Sequence, residues 1–78
     1  MRFTQYFLAT RSRPDRVFIE LAWIERAMVS PMKRVVQEDG RIRVWASVPE
    51  ADGRVLRVVL LPDGETVHNA FFDRGFAP

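Results

Sequence analysis

The chain has 78 residues, twelve Lys and Arg against ten Asp and Glu, a formal net charge of +2, one histidine and no cysteine. That length makes a single domain over 1–78, and so short a chain buries only about 60% of its unfolded surface, which leaves a thin stability margin. The composition excludes a disulfide staple and a thiolate metal site, and one histidine gives no ligand set for zinc, so neither metal nor cofactor is expected.

No apolar run approaches the roughly 20 residues of a membrane span, and Arg2 is not followed by the apolar region and cleavage site of a signal peptide. A cytoplasmic protein with no membrane partner is the expectation. A small core without a staple points to a homo-oligomer or a lasting hetero-complex. Eleven of the twelve basic residues are arginine. Guanidinium groups bind phosphate bidentately and stack on bases; a GC-rich genome produces the same bias.

Phe3–Thr10 (FTQYFLAT) is rich in aromatic and β-compatible residues and reads as a first strand. Arg11, Arg13 and Arg16 follow as a basic connector, either a phosphate contact or a solvated loop. Ser12 or Asp15 can cap a helix that tolerates Pro14 in its first turn and runs to Ser30, where Pro31 stops it. Val17, Leu21, Ile24 and Met28 form the stripe expected to face a sheet. Phe18, Ile19, Ala22, Trp23 and Ala27 cover much of the remaining helix surface. Phe18, Ile19 and Trp23 are therefore candidates for a partner interface, unless residues 1–10 fold over them.

Lys33–Glu38 and Arg41–Val48 flank Asp39-Gly40, a dipeptide that predicts a hairpin with a type I′ turn. Ile42, Val44, Ala46 and Val48 alternate with Arg41, Arg43, Trp45 and Ser47, so the first set should face the helix. Arg34 is placed to lie over Trp45. After the loop Pro49–Gly53, the stretch Arg54–Leu61 is apolar at nearly every position, as in a strand buried on both faces. Pro62-Asp63-Gly64 turns the chain, and Glu65–Phe72 returns as the last strand. The expected fold is α+β: one main helix packed on one face of an antiparallel meander sheet of four to five strands.

The other face of that sheet is the candidate site. With Asp63-Gly64 at the centre of the turn, Thr66 pairs with Leu61 and His68 with Val59. This sets His68 diagonal to Arg57 on the face that carries Arg43 and Trp45. A one-residue bulge in the turn would instead turn Thr66, His68 and Ala70 to the core and put Asn69 on the open face. Arginines neutralise phosphates and an exposed tryptophan stacks a base. A histidine moves protons and an arginine stabilises a pentacovalent phosphorane, so the set suits RNA cleavage by attack of the 2′-hydroxyl. The plainer readings are a strand histidine, a packed tryptophan, a solvated basic face, and a local Asp73–Arg74 salt bridge.

The order of helix, Pro31 and hairpin strand, then GRIRVWASVPEADGRVLRVVLL and TVHNAFFDRGF, resembles small bacterial proteins distantly similar to BrnT toxins, of the RelE/ParE-like type II toxin superfamily. The resemblance covers roughly residues 16–74. It departs from the BrnT pattern in a less basic last strand, HNAFFDRGF, and in LATRSRPDR near the N-terminus. It implies a RelE/ParE-like fold, an RNA-binding sheet face and a small antitoxin-like partner. By position it assigns Arg54 before the core strand, His68 within the last strand and Arg74 at its end. The combined expectation is a toxin-like, metal-independent endoribonuclease. His68, Arg57 and Arg74 would be catalytic, and Arg41, Arg43, Trp45, Arg54 and Asn69 would bind substrate. The alternative is a non-catalytic interaction domain of the same fold, joined to a second copy or a small protein through Phe18, Ile19 and Trp23 or through a strand edge.

Overall fold

The computed structural model describes residues 1–77. Two helices, α1 (Gln5–Thr10) and α2 (Leu21–Val29), accompany five strands: β1 (Arg2–Phe3), β2 (Lys33–Val36), β3 (Ile42–Val48), β4 (Arg54–Leu60) and β5 (Thr66–Phe72). The sheet order is β1-β5-β4-β3-β2. The pairs from β2 to β5 are antiparallel, as expected for a meander, while β1 joins β5 in parallel and makes the sheet mixed. No helix among the described residues is long and apolar enough to cross a membrane.

The N-terminal segment departs from its expected strand. Only Arg2 and Phe3 pair with β5, and Thr4 then starts a helix. Thr4 is extended and its hydroxyl accepts the Phe7 N–H at 3.1 Å, which satisfies one of the free donors of the first turn. Phe3, Phe7 and Thr10 recur at helical spacing; Phe7 and Thr10 are buried, and the Phe3 and Phe7 rings stack at 5.2 Å.

The main helix is shorter than its apolar pattern. Residues 11–18 make successive turns, with the Arg13 carbonyl accepting from both Arg16 and Val17. The chain extends at Glu20, and α2 begins at Leu21. The β-branched and aromatic run Val17-Phe18-Ile19 loses side-chain freedom in a helix. Here Ile19 drops into the core instead, at 4% exposure. This corrects its assignment to a partner surface. Ala27, from the same outer set, is also fully buried, while Val17 lies outside the helix and is exposed. Ile24 is buried beneath α2 and Leu21 and Met28 pack at its margins.

In β3, Ile42, Val44 and Val48 face the core as the alternation requires, and Leu56, Val58 and Leu60 of β4 lie beside them. Two connections differ from the simplest turn. Between β2 and β3, Gln37 N–H reaches Arg41 O at 2.8 Å and Gly40 N–H reaches Gln37 O at 3.0 Å. Gly40 alone has positive φ there, at 88°, so Glu38–Gly40 form a three-residue loop and not a type I′ turn. Between β4 and β5, Leu61 N–H bonds Thr66 O, as the sequence register requires, but the register then slips by one residue. Leu60 opposes Val67 and Val59 opposes Asn69, leaving His68 as the extra residue of a bulge. Ala70 therefore faces the core opposite Val58.

Asp63 fixes the β4–β5 turn. Its carboxylate accepts the Thr66 hydroxyl and the N–H groups of Glu65 and Thr66, which holds its pKa down to about 2 from 3.8. A carboxylate pKa depressed by folding contributes stability above its unfolded value, lost as pH falls through its folded one. The urea midpoint should therefore drop as pH falls from about 3.8 to about 2. Asp63→Asn should be less stable at neutral pH and lack that part of the decline. An identical acid profile in the variant would contradict this role.

Candidate functional site

The sheet face away from the helices carries Arg43, Trp45, Arg57, Val59, Asn69 and Phe71, as strand alternation and the register dictate. It is not an open platform. Trp45 is only 7% exposed, which corrects its role as a base-stacking surface. Its indole N–H donates to Asp73 Oδ2 at 2.9 Å and its ring meets Phe76 at 5.7 Å. The C-terminal segment after β5 thus folds back across the sheet. Lys33 and Arg57 lie over Trp45, at 5.8 and 5.7 Å. Arg34 does not, because it opposes Val44 and so points to the other face.

Arg57 sits at the centre of this layer. It lies 5.3 Å over the Phe71 ring and 3.9 Å from Asp73, and its Nε is buried without a hydrogen-bond partner. Burial pushes its pKa down, Arg43 pushes it further and Asp73 opposes both; an arginine stays charged nonetheless. Asp73 therefore serves Arg57 and Trp45, in place of the expected local pair with Arg74. Arg43 is half-buried, and the Gln37 side chain, with its amide turned, offers its oxygen to that guanidinium.

His68 is engaged elsewhere. Its Nδ1 is 3.0 Å from the Thr4 hydroxyl and its ring stacks on Tyr6 at 4.9 Å. The bulge that lets Asn69 take the position opposite Val59 also directs His68 toward the N-terminal segment. Asn69 accepts from Arg16 Nη1 at 2.7 Å. Among the described residues, no hydrogen bond or ring contact joins His68 to Arg57 or to Arg74. No group of three or more metal-ligating side chains gathers among them either.

Five of the eleven arginines lie within 4 Å of a carboxylate. Arg2 lies near Asp63 and Glu65, Arg16 near Asp15, Arg26 against Glu50, Arg41 near Asp39 and Arg57 near Asp73. Arg54 and Arg74 have no carboxylate within 4 Å among the described residues, and the fold brings both to one groove of about 660 Å³. Arg54 donates to the Ala51 carbonyl and lies 4.1 Å over the Phe72 ring. Arg74 stands exposed at the rim. Arg16 closes the opposite wall, 5.3 Å over Phe71. Phe18, 76% exposed, and Phe76 add apolar surface, and Asp15 and Asp73 are the acids of the lining.

This groove runs beside β5 where that strand has no neighbour. β1 pairs only with Thr66 and Val67, so no strand flanks Asn69 to Phe72 on that side. Of the sequence candidates, the groove unites Arg54, Arg74 and Phe18. It leaves out His68, Arg57, Trp45, Arg41 and Arg43. Trp23 is half-buried at the core margin, 6.4 Å from Phe72. Phe71, Phe72 and Phe76 are members that sequence reasoning missed, and Arg16 belongs to the basic connector that the sequence offered as a phosphate contact or a solvated loop. Their one signal was the dense alternation of Arg and Phe at the two ends of the chain, which only the fold brings together. Compared with known proteins, the chain matches no family model, no curated protein and no solved structure.

Proposed function

We propose that this chain is a non-catalytic interaction domain whose groove takes an extended, acidic and apolar segment of a small partner protein. The observation that carries the reading is the groove itself: Arg16, Arg54 and Arg74 with Phe18, Phe71, Phe72 and Phe76, set beside a strand edge that no other strand flanks, where the Ala70 N–H is held by the Asn69 side chain and that of Phe72 remains. An extended segment can hydrogen-bond such an edge while alternate side chains enter pockets. Carboxylates suit the unpaired arginines, and apolar groups suit the phenylalanines. A RelE/ParE-like architecture and an antitoxin-like partner, suggested by the sequence resemblance, are compatible with this reading and form part of the proposal.

The test is calorimetric titration with a synthetic peptide alternating glutamate and leucine, run beside a single-stranded RNA oligonucleotide. The wild type should bind the peptide. Arg54→Glu combined with Arg74→Glu should weaken it at least about tenfold, equivalent to about 1.4 kcal/mol. Binding of RNA but not peptide would overturn the proposal.

A toxin-like endoribonuclease is the second reading. It is favoured by one feature: His68 is half-exposed and oriented through Nδ1 by Thr4, so Nε2 stays available for proton transfer. Expression of the chain alone, with growth and total RNA followed, separates the two. Arrest with RNA loss that His68→Ala abolishes would establish the nuclease. Normal growth and intact RNA at high soluble level are expected from the interaction domain.

A further inference from the structure

The strand at the other end of the sheet, β2, is exposed at all four positions, Lys33 to Val36. Only β3 flanks it, and α2 packs over β3 and β4. Val36 is 57% exposed. A terminal strand with exposed valines and an unpaired edge is a template for another strand. We infer that β2 pairs antiparallel with β2 of a second copy of this chain, centred on Val36, so that the two sheets become continuous.

The register follows from geometry and charge. The bond from Gln37 N–H to Arg41 O commits Gln37 to β3. By antiparallel alternation Lys33 and Val35 also bond inward, while Arg34 and Val36 turn their backbone groups outward, and Glu38 follows as the first residue of the β2–β3 loop. A two-fold axis perpendicular to the sheet preserves its faces, so each residue must oppose one an even number of positions away. Centring on Arg34 would set two arginines face to face, which is unfavourable. Centring on Val35 pairs Met32 with Glu38 and Arg34 with Val36, leaving every charge unmatched. Centring on Val36 sets Val36 against Val36 and brings the exposed Arg34 side chain alongside the exposed Glu38 at the start of the partner's β2–β3 loop, twice by symmetry. Neither Arg34 nor Glu38 has an ion-pair partner within its own chain among the described residues. A contact of about five residues a side is smaller than a standard interface, so the dimer forms and dissociates with concentration.

Sedimentation velocity over a wide concentration range tests this. The wild type should pass from monomer to dimer. Arg34→Glu alone places two glutamates in opposition and Glu38→Arg alone places two arginines; each should raise the dissociation constant at least about tenfold, the effect of about 1.4 kcal/mol. Mixed in equal amounts, the two variants should form a heterodimer, because each then supplies the charge the other needs. The double variant Arg34→Glu/Glu38→Arg should dimerise like the wild type. Circular dichroism should be unchanged throughout, since both side chains are exposed. A wild type that stays monomeric would overturn the inference and make Lys33 and Arg34 guards of the edge. Single variants that dimerise normally, or a mixture that does not, would overturn it as well. Arg54→Glu/Arg74→Glu should leave the dimer intact, so this result and the groove result fail independently.

Discussion

Leu56→Ala is expected to lower the free energy of unfolding by about 3 kcal/mol, within the range for truncating a buried leucine. Leu56 is completely buried near the start of β4, between Ala46 of β3 and Phe72 of β5, in the layer that α2 covers. Removing its branched end withdraws the transfer energy of three carbons and opens a cavity in a central strand that cannot readily collapse. A domain of this length has a total stability of about 4–12 kcal/mol, so the loss is a quarter or more of the whole. With a urea dependence of about 1 kcal/mol per molar for so small a protein, the midpoint should fall by about 3 M. Phe18→Ala is the control: that ring is the larger side chain, yet it is 76% exposed and should cost less than about 0.5 kcal/mol. Equal losses from the two would mean that β4 is not the centre of the core.

The centre of this fold was legible because its signals are local and redundant. Ile42, Val44, Ala46 and Val48 alternate over a whole strand, and Arg54–Leu60 is apolar at almost every step. An Asp-Gly pair stands in each of the three connections between β2 and β5. The errors fall where a local pattern competes with a tertiary one. Val17-Phe18-Ile19 continues the helical stripe of α2 in the sequence, yet Ile19 leaves the helix to fill the core, and only the position of β5 gives it somewhere to go. FTQYFLAT carries both strand composition and a Thr4 cap with Phe3, Phe7 and Thr10 at helical spacing. The cap prevails once Phe7 has a core to enter. The candidate site was less legible for a sharper reason: one bulge at His68 reassigns every later residue of β5 between the two faces. Nothing in TVHNAFF marks that bulge. The groove joins residues 14–18 to residues 71–76, and no spacing rule connects those segments.

Asp73→Ala should be the most damaging change outside the hydrophobic core, at about 2 kcal/mol, because it orphans the buried Trp45 indole donor and strips Arg57 of its carboxylate. The Trp45 indole N–H would lose its acceptor at 2.9 Å, and the half-buried Arg57 would lose its carboxylate at 3.9 Å. The shorter contact should dominate: a hydrogen bond to a charged acceptor contributes about 1.5–3 kcal/mol, whereas a long, partly solvated ion pair contributes about 1 kcal/mol or less. Asp73→Asn keeps an acceptor for Trp45 and removes only the charge, so it should cost about 1 kcal/mol. Arg57→Met should cost no more, since it removes a guanidinium whose Nε already has no partner. Combining Arg57→Met with Asp73→Ala should cost less than the sum of the two, because the guanidinium that Asp73 compensates is then gone as well. Urea unfolding of the four variants and the wild type checks this ordering. Asp73→Asn proving as costly as Asp73→Ala would reverse it and make the ion pair the principal contact. The consequence reaches the groove. Asp73 Oδ1 also accepts the Gly75 N–H at 3.0 Å and so sets the path that brings Phe76 onto Trp45 and Arg74 to the rim. Asp73→Ala should therefore weaken peptide binding even under conditions where the variant remains fully folded, and Arg57→Met should not.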